Sequence, residues 1–501
     1  MNMTRRNFLA FSAAATATML TPAILRRSNR TWAAIDDSLV DLDAVAQAKL
    51  IKKGDATPLE LLDAAIQRID ALNPTVNAVV TEAYDSARER ADAAAFDGPF
   101  RGVPFLVKDL NDVAGVRTTS GSRALMDTIA ERDHPYIKAC IAAGLNVCGK
   151  SNTPEFGLQA TTESLALGPC FNPWDVTRSS GGSSGGAGAA VATGMLPLAH
   201  GNDGGGSIRI PASCCGVFGL MASRGRMAGT TNGFSLAVQG GLSRSVRDSA
   251  QLLASTERAK PAPGLEPVGL IEKPSRKRLK IGMYLNGARG ETPDSDVQTA
   301  IESTAALCEE LGHTVTPMEL KYDGDRMVDD FLTLWSSTAG EFADVFEKEA
   351  GRPANYQDLE PLTLAFSKSY HAGGKQKMGA ALQFLVTLQA EIGSQMEPYD
   401  VLLCPVLRTA PPAIGEQGPT VPYETLIARM ISYVAYTPLF NITGLPAMSV
   451  PLYWNDAGLP IGSQFAAKMG DEATLLRLAY ELEEARPWAG KHAPASVWNH
   501  A

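Results

Sequence analysis

The sequence predicts an α/β protein built as one large domain, on three observations. Helical and strand-like hydrophobic patterns alternate between about residues 130 and 220, as a layered α/β core requires. The 501 residues are 45% hydrophobic and 20% charged, with mean hydropathy −0.06, which suits a globular chain with a large buried core. No internal repeat or long low-complexity tract divides it. The net charge of −9 and pI near 5.4 exclude the basic footprint that a nucleic-acid partner needs.

Residues 1–33 stand apart from the fold. "TRRNFL", Thr4 to Leu9, resembles the twin-arginine export signal. A weakly apolar run from Ala10 to Leu25 follows, too short and alanine-rich for a membrane span, and "TWA" before Ala34 reads as a small-residue cleavage site. The expectation is a signal peptide over 1–33 and a mature domain over 34–501. It implies a periplasmic or extracellular protein without stable membrane association after signal removal. Residues 1–33 carry five arginines and no acid, so their loss would take the net charge from −9 to −14.

The mature chain opens on "TPLELLDAAIQRIDALNP", a helix with Thr57 as N-cap, Pro58 in the first turn and Glu60 completing a capping box. Leu59, Leu62, Ile66 and Ile69 form its apolar stripe, and Asn73-Pro74 is expected to end it. "VPFLVKDL" reads as a buried strand with Lys108 at its carboxyl end. "YIKACIAA" has helical spacing, with Ile137, Ile141 and Ala142 apolar and Lys138 outside, and Leu145 to Cys148 read as a short buried strand. "GAGAAVATGMLPLAH" predicts a small-residue helix followed by a buried strand. Residues 225 to 300 are weakly patterned, with "KPAPGLEPVG" (Lys260 to Gly269) a loop. "KRLKIGMY" reopens with a strand, "DSDVQTAIESTAALCEELGH" is an amphipathic helix, and 320 to 395 is mostly helical. "YDVLLCPV" and "LPAMSVPL" are late core strands.

Two motifs suggest chemistry that their context denies. "GLNVCGKS", Gly144 to Ser151, matches the phosphate-loop pattern, but that loop needs a strand before it and a helix after it. Here a helix precedes and a strand follows. Gly181 to Gly185 satisfies the G-x-S-x-G nucleophile elbow, which requires a hydrophobic strand immediately upstream. The preceding "NPWDVTRSS" is turn-rich and polar, and the late histidines, His492 and His500, fall in a polar tail. Seven scattered cysteines without CxxC or His/Cys spacing predict unpaired buried thiols, no disulfide framework and no metal site, with Cys214-Cys215 a buried pair.

The loaded segment is Arg178 to Ser213, "RSSGGSSGGAGAAVATGMLPLAHGNDGGGSIRIPAS". Its "NDGGGS" surrounds Ser207 with backbone N–H groups, the raw material of an anion nest or oxyanion hole. The segment resembles the signature of the amidase signature family. That family carries a glycine-serine-serine-glycine block and, 24 residues on, a serine in "GGSIR"; Ser183 and Ser207 have this separation. "GVPFLVKDL" supplies the family's lysine as Lys108. "GKSNTPEFG", "NPWDVTRSSGG", "FNITGLPAMSVP" and "GLPIGSQFAAKMGDEATLLRLAYELE" extend the likeness over roughly residues 40 to 485.

The resemblance implies a central mixed β-sheet flanked by helices on both faces. It also implies a serine-dependent amide hydrolase that needs no cofactor. Ser207 would attack the carbonyl, Ser183, after a cis peptide bond, would relay its proton, and an uncharged Lys108 would be the final base. Backbone N–H groups of Gly204, Gly205, Gly206 and Ser207 would hold the oxyanion, and Ser184, Asp203 and Arg209 would hold the loops. Two departures stand out: "GLMASRGR" replaces a common Gly-Leu-Lys-Pro-Thr run, and Gly204 replaces a bulkier residue, predicting a looser oxyanion hole. "PLAHGNDGGGSIRIPAS" is especially similar to the subgroup containing 6-aminohexanoate cyclic-dimer hydrolases. That favours a small linear, cyclic or aryl amide as partner, with carbamates and esters chemically close and a homodimer compatible with the chain's size. Pocket walls are expected from 121–126, 157–162 and 330–375. The alternative is a glutaminase-type subunit of a tRNA-dependent amidotransferase, against which the export signal argues.

Overall fold

Eleven strands form one mixed sheet in the computed structural model, which describes residues 38–93, 96–229 and 235–499. The expected signal segment and His500 lie outside the described residues. The strand order is Val79–Glu82, Asn146–Ser151, Pro104–Lys108, Leu198–Asp203, Val238–Ser243, Phe218–Met221, Ala447–Trp454, Pro460–Ala467, Val401–Pro405, Lys280–Met283 and Thr314–Pro317. Pro104–Lys108 runs parallel to both of its neighbours. Lys280–Met283 is likewise parallel to the two strands beside it, and the remaining pairs are antiparallel.

Alternation along the strands sends side chains to two apolar layers, one on each face. Phe105 and Val107 join the layer of helices Pro135–Ala142 and Val246–Thr256. Leu106 joins the opposite layer, with helices Pro58–Val76 and Gly185–Ala192. Lys108 shares the parity of Leu106, which turns it toward the start of Gly185–Ala192, where Ser183 lies.

Every residue of Gly185–Ala192 is buried. Its small residues let it sink onto the sheet: a Cβ on Gly186 would lie 2.2 Å from the Asn152 nitrogen and 2.6 Å from the Ala78 oxygen. Residues 320–395 form the helices Gly324–Ala350, Pro361–Ser369 and Lys375–Met396, the last two joined through a π-turn at Tyr370–Gly374.

Several expectations change. The Pro58–Val76 helix has the Thr57–Glu60 capping box but runs past Pro74. A proline in the last turn forfeits one bond, while buried Leu72 and Val76 hold the turn and the Asn77 N–H closes it on the Asn73 oxygen at 2.8 Å. In Pro135–Ala142 the packed face is Tyr136, Ile137 and Cys140, with Ile141 and Ala142 in solvent. The weakly patterned 225–300 region contributes a central strand, Val238–Ser243, which two glycines hide from any alternating pattern, and a helix over Val246–Thr256 capped by Ser245. "NPWDVTRSS" contains the strand Asp175–Ser179, paired with Phe171–Asn172 in a separate two-stranded ribbon.

The close approach at Gly186 gives a stability prediction. Gly186→Ala must displace backbone and should lower stability by about 1–3 kcal/mol, read as a lower midpoint in urea unfolding.

Candidate active site

Lys108, Asn202 and Asp203 sit at the carboxyl ends of adjacent parallel strands, the edge at which open α/β sheets form crevices. Lys108 is fully buried, its Nζ 2.7 Å from Ser183 Oγ and 2.8 Å from Asn202 Oδ1. Burial pushes Lys108 well below its ordinary range, against a smaller opposing pull from Asp203. Burial thus favours the uncharged form of the amine over the ammonium. The Gly182–Ser183 peptide bond is cis.

The Ser184 N–H donates to the Ser207 oxygen at 3.3 Å, so the two serine segments touch. Ser184 Oγ reaches back to the Asn202 oxygen at 3.4 Å. The Ser207 side chain lines a pocket and has no hydrogen-bond partner among the described residues.

Asp203 organises the turn that presents Ser207. Its carboxylate accepts from the backbone N–H groups of Gly206 at 2.7 Å, Ile208 at 3.1 Å and Arg209 at 3.4 Å, and from the Asn441 amide at 2.9 Å. The Arg209 guanidinium binds both carboxylate oxygens at 2.9 Å, and both partners are fully buried. Burial works to raise the Asp203 carboxyl, and the Arg209 charge and the hydrogen bonds override it, holding the group below its usual value. Arg209 also donates to the Thr437 oxygen, Gln464 and Asn441, tying the turn to late segments of the chain.

This geometry corrects the expected oxyanion donors. The Gly206 N–H is committed to Asp203, so it cannot serve an incoming anion. The N–H groups of Gly204, Gly205 and Ser207 have no such bond among the described residues. Gly206 is a conformational residue instead: its φ is +128°, and a Cβ there would lie 2.4 Å from Thr437 Oγ1.

Gly204 does not leave the expected slack. Trp335 fills the space, 3.0 Å from where a Cβ would stand, and Phe331 occupies the same position over Gly205. The two rings stack on each other with centroids 5.1 Å apart, and Trp335 Nε1 donates to the Leu158 oxygen. The "GLMASRGR" departure lies away from the pocket: Met221 sulfur accepts from Arg209, and Arg226 pairs with Glu257 and Glu472.

The pocket is lined by Ser207, Gly205, Leu158, Phe331, Trp335, Phe366, Met430 and other apolar groups, with Glu291 its one charged lining residue among the described residues. The expected 157–162 and 330–375 walls contribute. Residues 121–126 do not; Arg123 instead donates to the Tyr356 and Leu359 oxygens. The segment 427–438 was missed, because nothing in its local pattern marks a helix that faces a cavity.

A polar ring behind Lys108 was also missed. Its backbone N–H donates to His200 Nδ1 at 3.1 Å, and His200 Nε2 meets Gln239 Oε1 at 2.9 Å. Asn111 Nδ2 donates to the same Gln239 oxygen at 3.1 Å, and Asn202 Nδ2 donates to Asn111 Oδ1 at 3.3 Å. The sequence separation of 92 from Lys108 to His200 hides this circuit from any spacing rule.

The decoys resolve structurally. Lys150 of "GLNVCGKS" lies in a strand, fully buried against Asp109 at 3.0 Å and Thr118 at 2.8 Å. Ser183 of the G-x-S-x-G match meets a lysine, and His492 stacks on Trp498. All seven cysteines are buried and free; Cys214 faces the Tyr433 hydroxyl and Cys215 the Ser180 oxygen.

Removing one partner of a buried ion pair strands the other charge, so Asp203→Asn should cost about 3–5 kcal/mol, measured by denaturant unfolding. Because the folded carboxyl titrates below its unfolded value, its contribution holds above about pH 4. It should disappear as pH falls through the lower folded value, a step that the Asn variant lacks.

The Amidase family model matches residues 60–476. A Mycobacterium leprae (strain TN) protein, provisionally named amidase AmiC, is 40% identical over 459 residues, covering 91% of this chain and 97% of that one. The 6-aminohexanoate-cyclic-dimer hydrolase of Pseudomonas sp. (strain NK87) is 36% identical over 482 residues, with 91% and 97% covered. A solved structure of 6-aminohexanoate cyclic dimer hydrolase superposes with a TM-score of 0.85 at 33% identity, covering 91% of this chain and 99% of that one.

Proposed function

From the chain's membership of the amidase signature family of amide hydrolases, we propose a covalent mechanism in which Ser207, Ser183 and Lys108 form one proton path. The carrying observation is the 2.7 Å contact between a fully buried lysine amine and Ser183, in a segment hydrogen-bonded to that of Ser207. Ser207 Oγ attacks the amide carbonyl; its proton passes to Ser183 Oγ while the Ser183 proton moves to Lys108 Nζ. The oxyanion is held by the N–H groups of Gly204, Gly205 and Ser207. Collapse breaks the C–N bond, and the amine leaves with the proton returned along the same path. Water, deprotonated by the same base, then hydrolyses the acyl-enzyme.

The pocket supports a substrate class. Its apolar walls suit an aryl or alkyl body, linear or cyclic, as in the relatives' named substrate. Among the described residues no basic side chain lines it to hold a carboxylate, which argues against free glutamine and so against the glutaminase-type alternative. Small aryl and aliphatic amides are the primary substrates, with carbamates and esters secondary because the same acyl chemistry serves them. The twin-arginine reading of "TRRNFL" extends the proposal to an exported enzyme. Arg5→Lys with Arg6→Lys should retain the uncleaved form in the cytoplasm, checked by fractionation and N-terminal mass analysis; an unchanged distribution would sink the export reading.

A fluorophosphonate probe followed by peptide mapping should modify Ser207, and Ser207→Ala should abolish both label and amide hydrolysis. Lys108→Met should lower kcat/KM by about 10²–10⁴-fold. Burial pushes Lys108 below its usual range, so activity should persist at neutral pH and fall as acidification protonates the amine. Labelling at Ser183 alone, with activity surviving Lys108→Met, would overturn the mechanism.

A further inference from the structure

The ring behind Lys108 has a direction, and that direction originates in a group that cannot reverse. The Lys108 backbone N–H can only donate, so His200 Nδ1 must accept at 3.1 Å and the ring proton must reside on Nε2. His200 is fully buried, and burial drives its pKa to about 3, so no second proton occupies Nδ1. Nε2–H therefore donates to Gln239, and the Gln239 amide must present its oxygen. The same oxygen receives Asn111 Nδ2, which turns Asn111 Oδ1 toward Asn202 Nδ2. Asn202 is thereby forced to present Oδ1, not Nδ2, to Lys108 Nζ at 2.8 Å.

That last orientation matters to a base. An uncharged amine has two N–H groups and one lone pair. An oxygen from Asn202 takes up one N–H and leaves the lone pair for the Ser183 hydroxyl at 2.7 Å. A reversed Asn202 would donate into the lone pair and block proton transfer. We propose that Asn202, Asn111, Gln239 and His200 are positioning residues that lock the Asn202 amide oxygen onto Lys108 and so aim the lysine lone pair at Ser183. The inference rests on the reading of Lys108 as the base.

Asp203, itself bound to Arg209, is the charged group whose field reaches Lys108, and Lys108, Lys150 and His134 all bear on His200. None of these changes in the variants below.

The test reads the second-order rate of Ser207 labelling by a fluorophosphonate across pH, which does not depend on knowing the natural amide. Asn202→Asp keeps shape and acceptor but sets a carboxylate against the amine. It favours the ammonium form, so the acid limb should move upward by about 1–3 pH units. At the high-pH plateau, labelling should return to near the parent rate. Asn111→Leu removes the partner that holds Asn202 in one orientation, and plateau labelling should fall about 10²-fold. An acid limb that stays where it is in the parent would mean that residue 202 does not face the titrating amine. That result, or parent-rate labelling of Asn111→Leu, overturns the inference. Failure of the parent enzyme to label at Ser207 would instead overturn the mechanism on which it rests.

Discussion

The buried ion pair between Asp203 and Arg209 is the constraint on which the site depends. Two charges withdrawn from water carry a large desolvation cost, and they persist only where every lone pair and N–H is matched. Here the matching groups come from the Gly206–Arg209 backbone, from Asn441 and Gln464, and from the Thr437 oxygen. The pair thus welds the turn bearing Ser207 to segments more than 220 residues later. It also explains why three consecutive glycines can be rigid. Gly206 is held by its own N–H, by Ile210 N–H on its oxygen and by a Thr437 side chain that leaves no room for another atom.

The lysine contributes the complementary half. It reaches the site through strand parity, and it enters a layer whose burial disfavours its charged form. One face of the sheet thereby places the Lys108 amine, and the loop beyond the neighbouring strand places the Ser207 hydroxyl. A hydrophobic strand ending on lysine would ordinarily send that side chain into water along its aliphatic stem. The polar ring behind it and Ser183 in front of it make burial tolerable.

Much of this was legible in the sequence, for physical reasons. Hydrophobic runs and caps are local, so Pro104–Lys108, Gly185–Ala192 and the Thr57 capping box could be read directly. Pro74 misled because its effect depends on whether the surrounding turn is buried. Val238–Ser243 was hidden because its identity as a central strand comes from its neighbours and not from its own residues. The Gly206 assignment failed for a related reason: a backbone N–H looks available until the acceptor that claims it is known. Asn111, His200 and Gln239 carry no motif at all, since a hydrogen-bonded circuit has no sequence period.

Gly204 looked like an omission and proves to be half of an exchange. The volume that a side chain would occupy there is held by Trp335, from a helix more than a hundred residues downstream. Bulk at residue 204 and the present seat of the indole compete for one space, so a side chain there obliges Trp335 to give way. Swapping either part alone from a relative would transplant one side of a fit without the other.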